Sequence, residues 1–447
     1  MRISELRGLR VGVLGFGREG QATLAALRRM GHDGEVQIIS DHEAAVPAGA
    51  RLWLGEGAVG ALSGLDVLVR SPGFPPRHPV RAAADAAGLP QTTATNLFLA
   101  ELRHEGIDVI GITGSKGKST TSTLAQLVLA EAGIPSILVG NIGLAALDQL
   151  ERVVRDRLVT VMELSSYQCA DLLDGSGPSI ACLLRVFPEH LDWHGSVDAY
   201  YAAKLRIALA QRAGDRFRYD ARTARLVSEA PVHSAAEPIN TKDGLHFGEG
   251  WFRRGPEKLF SDADMALPGL HNRENAVAAL SVAELVGARP EHLRAVLSTF
   301  RGLPFRLEDE GVRRGIRWVN DSLSTAPEAV AAALHALAPG VETLIAGGYD
   351  RGYDPAPLVE AVAASGVHTL ILLPGTGASI ARHARSSRLE VDVLEVPSLD
   401  EAVALAMERT PRGSICLFSP GAPSYNHYRS FEERGAHLRA LLARHGD

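Results

Sequence analysis

Apolar and polar positions along this chain fall into a βαβ rhythm, with short apolar runs that read as strands followed by stretches of helical spacing. Arg10–Leu14 and Glu35–Ser40 are strand-like, with the helical pattern Gln21–Met30 between them, and Asp66–Arg70 is a further strand. Val109–Ile112 leads into the helical pattern Thr121–Ala132, and Thr160–Leu164 and Ile180–Val186 are the next strands. Helices follow at Tyr200–Gln211 and Ala276–Leu285, while residues 213–265 read as irregular, with short strands and turns. The rhythm resumes near Glu308, with strands Arg317–Asn320, Thr343–Ala346, His368–Leu373 and Ser414–Phe418. Helices Pro327–Leu337, Leu399–Arg409 and Phe431–Arg444 alternate with them. Such alternation predicts an α/β protein of parallel, doubly wound sheets. Proline, glycine and charge near 302–316 mark a linker, and three domains are expected over 1–105, 106–307 and 308–447.

Composition narrows the field without naming a chemistry. The 447 residues suffice for several separate cores, and 46% hydrophobic with 22% charged residues is ordinary for a globular protein. A formal charge of −6 speaks against a general nucleic-acid or membrane-surface binder. Cys169, Cys182 and Cys416 lack metal-ligand spacing and read as small core residues of a reduced compartment. With no apolar signal segment and no long apolar run, a cytoplasmic location without membrane insertion is expected.

Two glycine-rich turns carry the chemistry. Gly114-Ser115-Lys116-Gly117-Lys118-Ser119-Thr120 lies between strand and helix, where backbone N–H groups and the helix N-terminus cradle phosphate. Lys118 would neutralise phosphate charge, and the Ser119 hydroxyl would hold Mg²⁺. The loop is shorter than the common P-loop, with two residues between Gly114 and Gly117 where four are usual. Gly15-Phe16-Gly17-Arg18-Glu19-Gly20 forms the second turn, a fingerprint that serves a dinucleotide or any other diphosphate.

Other candidates are weaker alone. Glu163, at a strand end, either completes a Mg²⁺ site or is a solvated loop-edge acid. His190, in Pro188-Glu189-His190-Leu191-Asp192-Trp193-His194, is a metal ligand or a structural imidazole. Lys204 by itself reads as a surface lysine. Arg306 at a domain boundary could act on a γ-phosphate, and Asp321 at a strand end could hold a ribose hydroxyl.

Taken in order, GSKGKST, ELSSYQ, PEHLDWH with Lys204 downstream, GLHNREN, LPFR, NDS and the SPGAPS…F…RG tail resemble the Mur ligases over essentially the whole chain. The resemblance is nearest to the glutamate-adding branch. It implies an ATP- and Mg²⁺-dependent ligase joining glutamate to UDP-N-acetylmuramoyl-L-alanine through an acyl phosphate, in peptidoglycan precursor synthesis. A Rossmann-like first domain would bind the UDP substrate through Gly15, Phe16, Gly17, Arg18, Ser71, Pro72 and Gly73, with Asn141 and Ser165 facing its muramyl part. The central P-loop domain would bind ATP through Gly114–Thr120 (Gly114, Ser115, Lys116, Gly117, Lys118, Ser119 and Thr120), with His271, Asn272 and Asn275, helped by Arg306 and Asp321. Lys118, His190 and Lys204 would be catalytic. Ser119, Glu163, His190 and a carbamylated Lys204 would hold Mg²⁺. The Rossmann-like C-terminal domain would bind glutamate through Thr325, Arg351, Ser424 and Phe431. A monomer is expected.

The chain departs from the family pattern at Arg185 (an Asn in the family) and at Phe305 (a His). Two further departures lie where glutamate would bind. Leu323 stands where a lysine is usual. Arg351 also replaces a lysine, exchanging a point charge for a planar fork. Ser424-Tyr425-Asn426-His427-Tyr428 differs as well. These changes resemble a subfamily that adds L-glutamate and leaves inversion to a separate downstream epimerase. The rivals are an ordinary D-glutamate ligase, an NAD-binding oxidoreductase, which leaves the P-loop unexplained, a P-loop protein without catalysis, and a folate polyglutamate ligase, whose first domain would not begin this way.

Overall fold

The structure is a computed structural model. It describes the whole chain apart from His42, Ala45, Asp264, Pro268 and residues 351–353 and 445–447, and gives only the backbone of Glu56, Gly57 and Asp192. The chain forms two compact units, Met1–Arg301 and Gly302–Asp447.

Among the described residues the first unit holds two parallel sheets. Strands β1 (Val11–Leu14), β2 (Val36–Ser40), β3 (Ala50–Leu54), β4 (Val67–Arg70) and β5 (Gln91–Thr92) lie in the order β3-β2-β1-β4-β5. All pairs are parallel, with Val11 in register with Val36 on one side and Val67 on the other. The second sheet uses β6 (Val109–Thr113), β7 (Ser136–Gly140), β8 (Val159–Glu163), β9 (Ile180–Leu183), β10 (Arg216–Asp220) and β11 (Ala235–Ile239), in the order β11-β10-β9-β6-β8-β7. Its β6 and β9 are buried throughout, as continuous apolar runs in a parallel sheet should be. A small antiparallel meander, β12 (Leu245–Gly248), β13 (Trp251–Arg254) and β14 (Glu257–Ser261), packs around stacked Phe252 and Phe260.

Residues 213–265 are therefore less irregular than their sequence reads. Arg216–Asp220 and Ala235–Ile239 extend the central sheet by two parallel strands. Arg216, Arg218 and Asp220 interrupt the apolar run of β10 although it lies between β9 and β11, and β11 is an edge strand exposed over most of its length. One apolar cluster runs from Val11 and Leu27 through Leu97 and Leu102 to Val109 and Val139, joining the cores of the two sheets.

The second unit is built on β15 (Glu308–Arg313), β16 (Ile316–Asn320), β17 (Val341–Ala346), β18 (Thr369–Leu372), β19 (Asp392–Glu395) and β20 (Ile415–Phe418), in the order β15-β16-β20-β17-β18-β19. All but β15 run parallel. Strand β15 occupies much of the stretch that reads as a linker, because it pairs as a hairpin with β16. One face of the sheet packs Val330, Leu334, Leu358 and Ile380, and the other packs Leu399, Val403, Leu438 and Leu441. Helices thus cover both sides, the doubly wound arrangement that the rhythm predicts.

Candidate active site

In the central sheet β9, β6 and β8 are neighbours and run parallel, so their carboxyl ends open on one edge. That edge is where open α/β sheets bind ligands. The P-loop leaves β6, Glu163 ends β8, and the segment leading to His190 leaves β9.

The loop takes its shape from its glycines. Gly117 sits at φ +86 just ahead of the helix Lys118–Glu131, and a Cβ there would lie 2.3 Å from Asn275 Oδ1. Asn275 belongs to the helix Leu270–Ala283, which packs against the P-loop helix and also carries His271 and Asn272. Lys118 Nζ donates to the loop carbonyls of Gly114 (3.0 Å) and Ser115 (2.8 Å). Ser119 is half-buried and Thr120 buried in the first turn of that helix. Lys116 reaches Glu189 at 2.7 Å. Ser115 faces inward: its N–H donates to the Arg185 carbonyl, and its hydroxyl bonds the Phe187 backbone and Tyr200. What Arg185 gives the loop is therefore a main-chain acceptor, and its own side chain is exposed.

Lys204 is no surface residue. It is 2% exposed on the helix Val197–Leu209, and its Nζ donates to Thr113 Oγ1 at 3.0 Å. Burial, and then the nearby Lys118 charge, lower its pKa to about 7. Nor is Glu163 solvated. At 1% exposure, its Oε1 accepts from Asn141 Nδ2 at 2.7 Å, while Oε2 is buried without a hydrogen-bond partner. A shielded, unpaired carboxylate oxygen is costly unless a cation completes it. The donor set therefore fits a hard cation such as Mg²⁺. Among the described residues no three His, Cys, Asp or Glu side chains by themselves form a metal-holding group. His190 is exposed in a left-handed conformation (φ +53), its ring 5.3 Å from that of Tyr167.

In the first sheet, Gly15 (φ +90) lets Ser71 and Phe74 approach, and a Cβ on Gly20 would lie 2.0 Å from the Gly15 carbonyl. The Ser71-Pro72-Gly73 turn is held by the Ser71 N–H donating to Leu14 and by Trp193 Nε1 donating to the Gly73 carbonyl at 3.3 Å. Behind it, buried Asp171 pairs with Arg70 and Arg81. Exposed Asn141 also donates its N–H to the Glu163 carbonyl at 3.0 Å. The Ser165 hydroxyl caps the helix Ser166–Ala170, accepting from the Gln168 N–H at 3.1 Å.

Residues 112–283 match the Mur ligase middle domain. A UDP-N-acetylmuramoyl-L-alanine--L-glutamate ligase of Salinispora tropica is 37% identical over 97% of each chain. The chain belongs to the Mur ligase family. A Xylella fastidiosa relative with the same name is 35% identical over 99% of this chain and 97% of its own, and a UDP-N-acetylmuramoylalanine--D-glutamate ligase of Shouchella clausii is 34% identical over 97% and 96%. Among solved structures, the MurF ligase of Thermotoga maritima in complex with ADP superposes with a TM-score of 0.55 at 17% identity, covering 99% of this chain and 96% of its own. The MurC ligase of the same organism gives 0.57 at 16%, covering 98% and 99%. These two likenesses establish the fold.

The second unit of this Mur ligase binds its motifs to one another. Asp321 is buried at the end of β16. Its Oδ1 accepts from the Leu307 N–H at 3.1 Å, and its Oδ2 accepts from Ser324 Oγ at 2.5 Å and Ser419 Oγ at 2.7 Å. Burial raises its pKa despite those bonds. Its oxygens are thus engaged within the unit, whereas Arg306 is exposed. Phe305 packs against Gly435 under the Arg439 guanidinium, 5.0 Å from its ring centroid, which accounts for an aromatic at that position. Thr325 is half-buried just ahead of the helix Pro327–Leu337. Ser424 is buried, its carbonyl accepting from the His427 and Tyr428 N–H groups, and the Phe431 carbonyl accepts from Ser322 Oγ at 2.9 Å. Arg351 lies outside the described residues.

The sequence reading passed over Arg434. It is 1% exposed, and its guanidinium donates to Ser322 Oγ (3.1 Å), the Ser322 carbonyl (2.9 Å) and the Ala422 carbonyl (2.9 Å). It thereby ties NDS to the SPGAPS tail. The signal lay in the tail itself, whose Arg434-Gly435 pair sets a cation in the helix Phe431–Ala443 where Gly435 leaves room for Phe305. The three cysteines are buried and free. Among the described residues no helix is long and apolar enough to cross a membrane.

Proposed function

We propose that this chain is the ATP-dependent ligase that adds glutamate, in its L form, to UDP-N-acetylmuramoyl-L-alanine, by way of an acyl phosphate on the alanyl carboxylate. The observation that carries the reading is the buried Lys204 amine beside Lys118 and the unpaired Glu163 oxygen, at the sheet edge where the P-loop opens. Names of relatives along the whole chain support the substrates.

In this reading Lys118 and the N–H groups at the start of its helix bind the triphosphate and offset its charge as two anions approach. Lys118 would leave the two carbonyls it now bonds. A lysine with a pKa of about 7 is largely neutral just above that pH, so the Lys204 nitrogen can add to carbon dioxide, releasing one proton and becoming an anionic carbamate. Mg²⁺, when bound, supplies a Lewis acid that draws charge from phosphate oxygens, and Ser119, Glu163, His190 and the Lys204 carbamate would hold it. Asn141 keeps Glu163 Oε1 in place. Gly15–Arg18 and Ser71–Gly73 receive the UDP part, Asn141 and Ser165 the muramyl part, and His271, Asn272, Asn275, Arg306 and Asp321 the rest of ATP. Thr325, Arg351, Ser424 and Phe431 receive glutamate. The three domains 1–105, 106–307 and 308–447 divide these tasks, in a monomer acting in the cytoplasm, with an epimerase downstream.

Leu323, Arg351 and the Tyr425–Tyr428 tail favour L-glutamate, since moving the carboxylates about the α-carbon demands different clamps. A D-glutamate preference is the second reading, favoured by the Shouchella clausii relative's name. Purified protein with ATP, Mg²⁺ and UDP-N-acetylmuramoyl-L-alanine should release phosphate faster with L- than with D-glutamate. The reverse preference would establish the second reading, and no release with either would overturn the function.

A further inference from the structure

The glycine-rich turn of the first sheet holds a shielded carboxyl beside the ELSSYQ segment. Glu19, in the first turn of the helix Arg18–Arg29, directs its carboxyl inward although its stem is partly exposed. Oε1 accepts from Gln168 Nε2 at 2.9 Å, and Oε2 is buried without a hydrogen-bond partner. Glu19, with Ala94, Gly140 and Met162, lines a cavity of about 10 Å³, room for one water molecule at most. The carboxyl is thus held by protein groups, not by bulk solvent.

Gln168 is no ordinary partner. Its Oε1 accepts from the Ser165 N–H at 2.9 Å, and its own N–H donates to Ser165 Oγ at 3.1 Å, closing a capping box on the ELSSYQ segment. The neighbouring Arg18 runs in parallel, donating to the carbonyls of Gly140 at 2.8 Å and Asn141 at 3.3 Å. Asn141 in turn holds Glu163 at 2.7 Å. Two adjacent residues of one turn therefore reach the two ends of the candidate muramyl contact, one through Gln168 to Ser165 and the other through the Gly140–Asn141 backbone.

We infer that Glu19 is a positioning residue, which through Gln168 fixes the Ser165 cap and so sets the seat of the muramyl substrate against the P-loop edge. The substrate named here rests on the function proposed above. An acceptor at position 19 is what the geometry requires, and a negative charge is not. Glu19→Gln keeps an acceptor for the Gln168 amide, whereas Glu19→Ala leaves that amide unpaired in a shielded site.

The test uses the full chain and two readouts. In phosphate-release kinetics, Glu19→Ala should raise KM for UDP-N-acetylmuramoyl-L-alanine about tenfold with KM for ATP unchanged, and Glu19→Gln should stay within about twofold of the parent. Hydrogen exchange at the Ser165 and Gln168 amides, which needs no activity, should accelerate in Glu19→Ala and not in Glu19→Gln. Unchanged exchange at those amides in Glu19→Ala would overturn the inference even if the ligase reading stood. Equal rises in both KM values would overturn it too, as would equal damage by both substitutions. If the parent protein proved inactive with glutamate, the exchange result alone would still decide the role of Glu19.

Discussion

Lys204 and Arg434 are both buried basic side chains, one near the carboxyl edge of the central sheet and one at that of the C-terminal sheet, and they are treated in opposite ways. Arg434 spreads three donors over one hydroxyl and two carbonyls, the fork geometry for which a guanidinium is suited. It remains a cation even though burial lowers its pKa to about 10. Lys204 has Thr113 Oγ1 as a side-chain acceptor, and that oxygen also donates to Leu164. Its pKa falls to about 7, with Lys118 nearby adding repulsion. The same cost of burial is met in one case by hydrogen bonds and in the other by surrender of the proton. The first arrangement holds the NDS motif to the SPGAPS tail. The second leaves a reactive amine next to the phosphate loop, where perturbed groups mark chemistry.

Breaking each site should therefore give different losses. Lys204→Ala should lower phosphate release about 1000-fold, roughly 4 kcal/mol in the barrier, with partial rescue by short carboxylates and little loss in melting temperature. Full activity would make the lysine structural. Arg434→Met should instead cost about 3 kcal/mol of stability in denaturant unfolding of the second unit, because the Ser322 and Ala422 acceptors lose their donors. A stable Arg434→Met protein would refute the structural role. Glu163→Gln keeps an acceptor for Asn141 but loses the charge, so activity should fall about 100-fold and the Mg²⁺ requirement should rise, with melting nearly unchanged. Unaltered Mg²⁺ dependence would contradict the assignment.

The smallest effect is in pH. A lysine whose folded pKa is depressed from 10.5 to about 7 makes the unfolded chain bind more protons between those values. Stability of the parent relative to Lys204→Met should thus be flat below pH 7 and rise as pH climbs towards 10.5. A difference falling over that window would have the wrong sign for a buried neutral amine.

Much of this was legible in the chain. Parallel strands showed as apolar runs because both faces are covered, and Gly117 declared the loop because only glycine fits between that backbone and Asn275. Lys204 was not legible from its own surroundings in sequence, since the helix that carries it shows no clear apolar stripe and its acceptor, Thr113, is brought to it from 91 residues away by the fold. Only the order of motifs flagged it. Asp171 with Arg70 and Arg81, and Glu19 with Gln168, were invisible for the same reason: each pairing spans from 90 to 149 residues. Strands β10 and β11 did not show as part of the central sheet, because Arg216, Arg218 and Asp220 interrupt the apolar run of β10 and β11 is an exposed edge strand holding a proline.

The measurement that bears most directly on the central claim is carbon-13 NMR of the protein equilibrated with labelled bicarbonate. The account predicts a carbamate resonance that grows as pH rises through about 7 and is absent from Lys204→Ala. A parent protein with no such resonance, yet fully active in glutamate-dependent phosphate release, would contradict it.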